Sequence, residues 1–218
     1  MTDGGRRAGN GAGPPRMRFV MASANRDKAS EIAAILEAEL GQAVELLPRP
    51  EQIGEVEETG ETLEDNARLK ADALLRATGI AAMADDTGLE VEALGGAPGV
   101  YSSRYAGEHA SYAENVAKLL AALDEAGATG PDQRRARFRT VAVARFAGGR
   151  EVVAEGKVDG TIAPGRRGEG GFGYDPVFVP DGGDGRTFAE MSPAEKHACS
   201  HRGRAFRALA VGLRSAGP

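Results

Sequence analysis

Apolar and polar positions follow two rhythms along the first half of the chain. "RFVMAS" (residues 18–23) is a short apolar run that predicts a buried strand. From Asp27 to Leu40 the apolar residues Ile32, Ile35, Leu36 and Leu40 recur at helical spacing, with Glu-rich positions on the other side. "AVELLP" predicts a second strand. Thr62 to Thr78 predicts a second helix, with Leu63, Ala67, Ala71, Leu74 and Leu75 along one side. "IAAMA" (80–84) predicts a short strand ending at two adjacent acids, Asp85 and Asp86. Strand and helix alternate, as in an α/β sheet.

The second half changes rhythm. Ser111 to Ala126 predicts a third helix. "RFRTVAVARFA" (137–147) and "REVVAEGKVDGTI" (150–162) predict long neighbouring strands, with Gly148-Gly149 as a two-residue hairpin between them. Antiparallel strands added to an alternating pattern make the sheet mixed. A single closing helix is expected from "SPAEKHACSHRGRAFRALAVGLRS", where Ser192, Pro193 and Glu195 form a capping box with Pro at the first helical position. Residues 1–16, rich in Gly, Pro and Arg, are expected to be a disordered tail before one domain over 17–218.

Composition narrows the function classes. The formal net charge of −5 and the lack of an extended basic stripe argue against a nucleic-acid polymer as partner. No apolar run is long enough to span a membrane, and the first residues lack the apolar core of a signal peptide. The single cysteine, Cys199, excludes an internal disulfide and fits a reducing compartment. A cytoplasmic location is expected.

Five segments carry candidate chemistry. In "SANRDK" (23–28) a strand gives way to a helix, whose free N–H groups, with Lys28, favour an anion such as phosphate. Asn25 as a simple cap with Lys28 solvated accounts for the same letters. In "EVEETGETLEDNARLKA" (55–71), Asn66 and Lys70 share a helical face, and Glu57 or Glu58 could meet Asp86 to form a hard-oxygen metal site. Adjacent strand residues point to opposite faces, so one of Asp85 and Asp86 should face a ligand and the other a backbone or basic partner. In "GEGGFGYDPVF" (168–178), glycines flank Phe172 and Tyr174, which suits an aromatic displayed for stacking on a nucleobase; no helix follows, so a dinucleotide fingerprint does not fit. In "EKHACSHRGRA" (195–205), Lys196, His201 and Arg202 gather donors for anionic or keto oxygens. Zinc is disfavoured there, because Cys199 is turned away from His197 on a helix.

In their order, "SANRDKASEI", "EETGETLEDNARLKA", "ADDTGLEVEALGGAPGVYSSRYAG", "GFGYDPVF" and "FAEMSPAEKHACSHRGRA" resemble the successive motifs of the inosine triphosphate pyrophosphatase family. The resemblance runs from about Phe19 to Leu213. It implies an elongated mixed twisted sheet flanked by helices, with two lobes around a central nucleotide cleft. It implies hydrolysis of ITP, dITP and XTP to the monophosphate and pyrophosphate, with Mg²⁺, as a homodimer. By the same resemblance, Ser23, Ala24, Asn25, Arg26, Asp27 and Lys28 hold the triphosphate, and Lys70 reaches phosphate. Asp86 acts on metal and water, Glu57 is the second metal carboxylate with Glu58 as the alternative, and Thr87 stands beside the substrate. Phe172, Gly173, Tyr174, Asp175, Lys196, His201 and Arg202 form the base pocket. Ser23 and Thr87 exchange one hydroxyl residue for another relative to the family, and Ala24 stands where glycine is frequent. Oxygen ligands alone suit Mg²⁺ and Mn²⁺ alike. Two rivals remain on the sequence: a pyrophosphatase for pyrimidine triphosphates, and a non-catalytic sensor of ITP.

Overall fold

The computed structural model describes residues 16–23, 25–54 and 56–216. In chain order the elements are β1 (Met17–Met21), α1 (Arg26–Leu40), β2 (Val44–Leu47), α2 (Leu63–Thr78), β3 (Ala82–Val91), β4 (Pro98–Gly99), α3 (Tyr112–Glu125), β5 (Arg135–Arg145), β6 (Glu151–Ile162), β7 (Phe178–Pro180), α4 (Pro193–Cys199) and α5 (His201–Ala216). One seven-stranded sheet runs β2-β1-β3-β5-β6-β7, with β4 paired to β3. β2, β1 and β3 are parallel, and the pairs β3–β5, β5–β6 and β6–β7 are antiparallel. This is the mixed α/β sheet expected from the alternating pattern.

Strand alternation assigns each face its partner. Met83, Ala142 and Ala144 pack with α1 and α5 through Ile32, Leu36, Phe206 and Leu209. Farther along the same face, Leu89, Val91 and Phe138 pack with α3 through Val116, Leu119 and Leu123. On the opposite face Ala82, Ala84, Val141 and Val143 meet α2 through Leu63, Ala67, Ala71 and Leu74. The helix starts are set locally. Asn25 accepts from Asp27 N and Lys28 N, Thr62 from Asp65 N, and Ser111 and Ser192 form reciprocal capping boxes with Glu114 and Glu195.

Three sequence expectations are corrected. The strand expected over 80–84 continues to Val91, so Asp85 and Asp86 lie mid-strand rather than at a tip. Pairing explains it: β5 accompanies β3 along its whole length, from Ala82↔Arg145 to Val91↔Ala136, whereas β1 ends opposite Met83. The hairpin is wider than two residues. Phe146 N donates to Arg150 O at 2.9 Å, leaving Ala147, Gly148 and Gly149 in the loop, and both glycines have positive φ. The closing helix is two helices, because Ser200 takes an extended backbone (φ −68, ψ 158) and its hydroxyl receives Gly203 N. Residues 1–15 lie outside the described residues, but Arg16, at the end of the expected tail, donates to Gln42 at 2.9 Å. Among the described residues no helix is long and apolar enough to cross a membrane.

One glycine decides how close α5 comes to the sheet. A Cβ on Gly156 of β6 would stand 2.1 Å from His201 O and 2.4 Å from Ala205 N. Both obstacles are helix backbone, so neither can yield by a rotamer change. Gly156→Ala therefore displaces the start of α5, where His201 and Arg202 sit. The expected loss is about 1–3 kcal/mol, the range for overpacking a filled site. Urea denaturation checks it; an unchanged midpoint would show that α5 can move without cost.

Candidate active site

The sheet opens a cleft where β1 stops. Ala22 N still bonds Met83 O at 2.8 Å, but beyond it the chain turns away to start α1 while β3 runs on. The space beside Asp85, Asp86 and Thr87 is thereby left without a neighbouring strand on that edge. A cleft of about 740 Å³ lies there, a size suited to a small organic ligand. Ala22, Ser23, Asn25 and Lys28 line it from the α1 side, Glu57, Glu58 and Lys70 from the α2 side, and Phe172, Gly173, Tyr174 and Asp175 from the loop before β7. Asp85, Thr87, His201 and Arg202 also line it.

One end is built for charge. Lys70 Nζ bonds Asp86 Oδ1 at 2.7 Å and Glu58 Oε1 at 3.0 Å. Arg104 Nη1 takes the other Glu58 oxygen at 2.8 Å. Burial works against a charged Glu58, but Lys70 and Arg104 outweigh it and hold its carboxyl below the usual range. Asp86 goes the other way: burial pushes it up, Lys70 opposes this and Glu58 adds to it, and it ends above the ordinary value. Burial lowers Lys28, whereas Lys70 is raised because Asp86 and Glu58 overcome its desolvation. Asp86 Oδ2 is buried with no hydrogen-bond partner. An orphaned carboxylate oxygen next to a second carboxylate fits a divalent cation. Among the described residues no cluster of three ligating side chains exists. Two carboxylates with phosphate oxygens are a normal set for Mg²⁺, so the residues present suffice.

The other end is a buried ionic lattice beneath an aromatic ring. Arg202, 2% exposed, pairs with Glu31 at 2.5 Å and Asp85 at 3.4 Å, and its Nη2 donates to Thr87 Oγ1 at 3.3 Å. Lys196 pairs with the same Glu31 and with Asp175 at 2.6 Å. Burial would raise Asp85, but Lys28 and Arg202 bring it below the usual carboxylate range. Asp175 also accepts Phe172 N at 2.8 Å, and a Cβ on Gly171, at φ +68, would stand 2.1 Å from its Oδ2. The glycine-rich turn thus wraps the Asp175 carboxylate and holds Phe172 over two cations, with Lys196 Nζ 4.8 Å and Arg202 Cζ 5.3 Å from the ring centroid. Tyr174 is buried and donates its hydroxyl to Ser102 O at 2.9 Å. His201 stacks on Phe138 with centroids 4.3 Å apart, and its Nδ1 has no partner.

The cleft gathers most of the residues singled out from sequence, but not all. Arg26 and Asp27 are exposed on the first turn of α1 and do not line it. Ala24 lies outside the described residues. Glu57 is exposed at the rim, and it is Glu58 that bonds Lys70 beside Asp86. Asp86 and Lys196 sit behind the wall, joined to it through Lys70 and Asp175. His197 and His201 stand on separate helices. Glu31, Arg49, Arg104 and Tyr112 were not expected. Glu31 follows Lys28 by three residues on α1, a same-face spacing that could have drawn attention. Arg104 lies within "YSSRYAG". Arg49, whose guanidinium bonds Ala22 O at 2.7 Å, carries no local signal.

His201 gives the site a pH signature. Burial, with Arg202, Lys196 and Lys28 nearby, drives its pKa well below 6.5. The unfolded chain therefore takes up this proton first. Stability is intact above the unfolded value and is lost as pH falls below about 6.5, by up to about 1.4 kcal/mol per pH unit from this residue. His201→Gln should flatten that part of the profile in urea titrations between pH 7 and 5. Parallel profiles for the two proteins would contradict a neutral buried imidazole.

A model of the Ham1 family matches residues 19–211. A dITP/XTP pyrophosphatase of Mycolicibacterium paratuberculosis is 48% identical over 197 residues, covering 89% of this chain and 95% of its own. The solved structure of a HAM1 protein from Coxiella burnetii is 39% identical, with a TM-score of 0.80, covering 91% of this chain and 99% of its own. A dITP/XTP pyrophosphatase structure from Mycobacterium abscessus is 44% identical, with a TM-score of 0.69, covering 92% of this chain and all of its own. With the family model and these relatives matching nearly the whole length of the sequence, the chain belongs to the Ham1 family.

Proposed function

We propose that this protein hydrolyses non-standard purine nucleoside triphosphates, ITP, dITP and XTP, to the monophosphate and pyrophosphate, and so keeps them out of DNA and RNA. One observation carries the reading. A single cleft joins a charged end, where Lys28, Lys70, Glu58 and Asp86 meet, to an end where Phe172 lies over Lys196 and Arg202. A triphosphate suits the first and a purine the second. The family and the names of its relatives support the same substrate class.

At the charged end, Asp86 and Glu58 would hold the metal, which we take to be Mg²⁺. When bound, it supplies positive charge to the pyrophosphate leaving group. Lys28, at the first turn of α1 with the helix N–H groups, binds phosphate oxygens, and Ser23 and Asn25 add polar groups. Lys70 holds Asp86 in place and adds charge for the transferring group. Asp86, raised above its ordinary pKa by burial, is suited to orient and deprotonate the attacking water at the α-phosphorus.

At the base end, the choice between purines follows from donors. Lys196 has three N–H donors and spends two on Glu31 and Asp175. Neutral His201 keeps Nδ1 free to accept or donate. Hypoxanthine and xanthine present a keto oxygen at position 6, whereas adenine presents a donor that would go unmatched. An unmatched buried polar group costs about 1–3 kcal/mol, roughly tenfold to a hundredfold in discrimination. A homodimer and a cytoplasmic location complete the reading; light scattering of the purified protein tests the first.

The deciding experiment is to incubate the protein with Mg²⁺ and ITP, XTP, GTP or ATP and resolve the products. Monophosphate plus pyrophosphate from ITP and XTP, with little from ATP, is expected. Diphosphate plus phosphate would move attack to the γ-phosphorus, and no turnover despite tight ITP binding would make the protein a sensor. Asp86→Asn should keep the circular dichroism spectrum and lower turnover about 10²–10⁴-fold, the usual contribution of a positioned base. A rate near that of the parent protein would remove Asp86 from this role.

A further inference from the structure

Tyr112 is 42% exposed, yet it makes two directed contacts across the cleft. Its hydroxyl accepts from Asn25 Nδ2 at 2.5 Å. Its ring packs on Phe172, with centroids 5.9 Å apart and planes inclined by 36°. Neither contact is a chance meeting of loose side chains. Tyr112 is the first residue of α3, directly after the N-cap Ser111 and inside the Ser111–Glu114 capping box, so its backbone is fixed. Asn25 is fixed as well: its Oδ1 receives Asp27 N and Lys28 N at 2.9 and 3.2 Å, which leaves the amide nitrogen free to donate away from α1. Phe172 is held through its N–H by Asp175.

These contacts form one line. It runs from Asn25, beside the phosphate-binding end, through Tyr112 to Phe172, and on to Lys196 and Arg202 at the base end. Tyr112 lines the cleft while remaining partly open to solvent, so the line lies at the mouth rather than the floor. We propose that Tyr112 is a latch over the nucleotide cleft. The hydroxyl bond and the ring contact close it; a purine nucleoside triphosphate enters by breaking both and is held when they re-form. The residue is a positioning residue and takes no part in bond cleavage. The inference rests on the nucleotide reading above.

A latch differs from an ordinary ligand contact in its kinetics. A latch slows entry as well as exit, so loosening it raises both rates. A contact made only to bound ligand, when lost, raises exit alone. Tyr112→Phe keeps the ring and removes the hydroxyl bond; Tyr112→Ala removes both contacts at an exposed position. The probe is the α,β-methylene analogue of ITP with Mg²⁺, followed by surface plasmon resonance on immobilised full-length protein. Tyr112→Phe should raise association and dissociation rates together by roughly two- to tenfold, the worth of one neutral hydrogen bond. Tyr112→Ala should raise both further, and Kd should move less than either rate. A change in dissociation alone, or unchanged rates in both variants, overturns the latch and leaves the pyrophosphatase reading standing. Failure of the analogue to bind the parent protein overturns that reading and the latch with it.

Discussion

The buried guanidinium of Arg202 is the constraint around which the cleft is arranged. A charge at 2% exposure is tolerable only when its donors are matched. Arg202, on α5, meets this by drawing on two other elements at once: Glu31 of α1, and Asp85 and Thr87 of β3. Glu31 is shared with Lys196 of α4, which in turn holds Asp175 of the loop before β7. Removing one partner from such a lattice leaves a neighbour charged and unpaired, a loss of about 3–5 kcal/mol for a buried pair. The lattice is therefore weak as a source of net stability but strong as a device that fixes geometry. It ties the second turn of α1 to the C-terminal helices on the same face of the sheet.

The backbone had to make room for that lattice. Gly156 lets the start of α5 lie against β6, which brings His201 and Arg202 down to the sheet. Gly171 does the same on a smaller scale, letting its backbone approach Asp175 so that Phe172 N can bond the carboxylate. In both places a missing Cβ is the condition for a charged or aromatic group to reach the cleft.

How far the sequence could be read follows the range of each signal. Local signals read well: the helical spacing of Ile32, Ile35, Leu36 and Leu40 gave α1, and the Ser192–Glu195 box gave the start of α4. Features set by pairing did not. The length of β3 depends on β5, whose paired residues lie 45 to 63 positions away, so the apolar run alone suggested a strand ending at Asp85. The break at Ser200 was hidden because Ser is unremarkable within a helix pattern until its hydroxyl caps the next one. In the site, residues inside contiguous motifs were legible, as with Lys28, Phe172 and Arg202. Glu58 and Glu57 could not be separated, since their neighbours are the same and only the turn into α2 decides which meets Lys70. Arg49 and Tyr112 act through partners 27 and 87 residues away and leave no local trace.

Strand geometry also explains why two acids stand side by side. Asp85 faces the side of α1 and α5, and Asp86 faces the side of α2, because adjacent residues of β3 point in opposite directions. Their fates diverge accordingly. Burial works against a charged Asp85, but Lys28 and Arg202 hold it below the ordinary carboxylate range; burial, with Glu58 adding to it, pushes Asp86 above that range despite Lys70. A permanently ionised acid is what a structural ion pair requires, whereas Asp86 keeps one buried carboxylate oxygen without a hydrogen-bond partner. Because the two acids are consecutive, one strand fixes the separation between the Arg202 end and the Lys70 end of the cleft. Shifting β3 by one residue would exchange the two environments, and the ten-residue pairing with β5 holds that register.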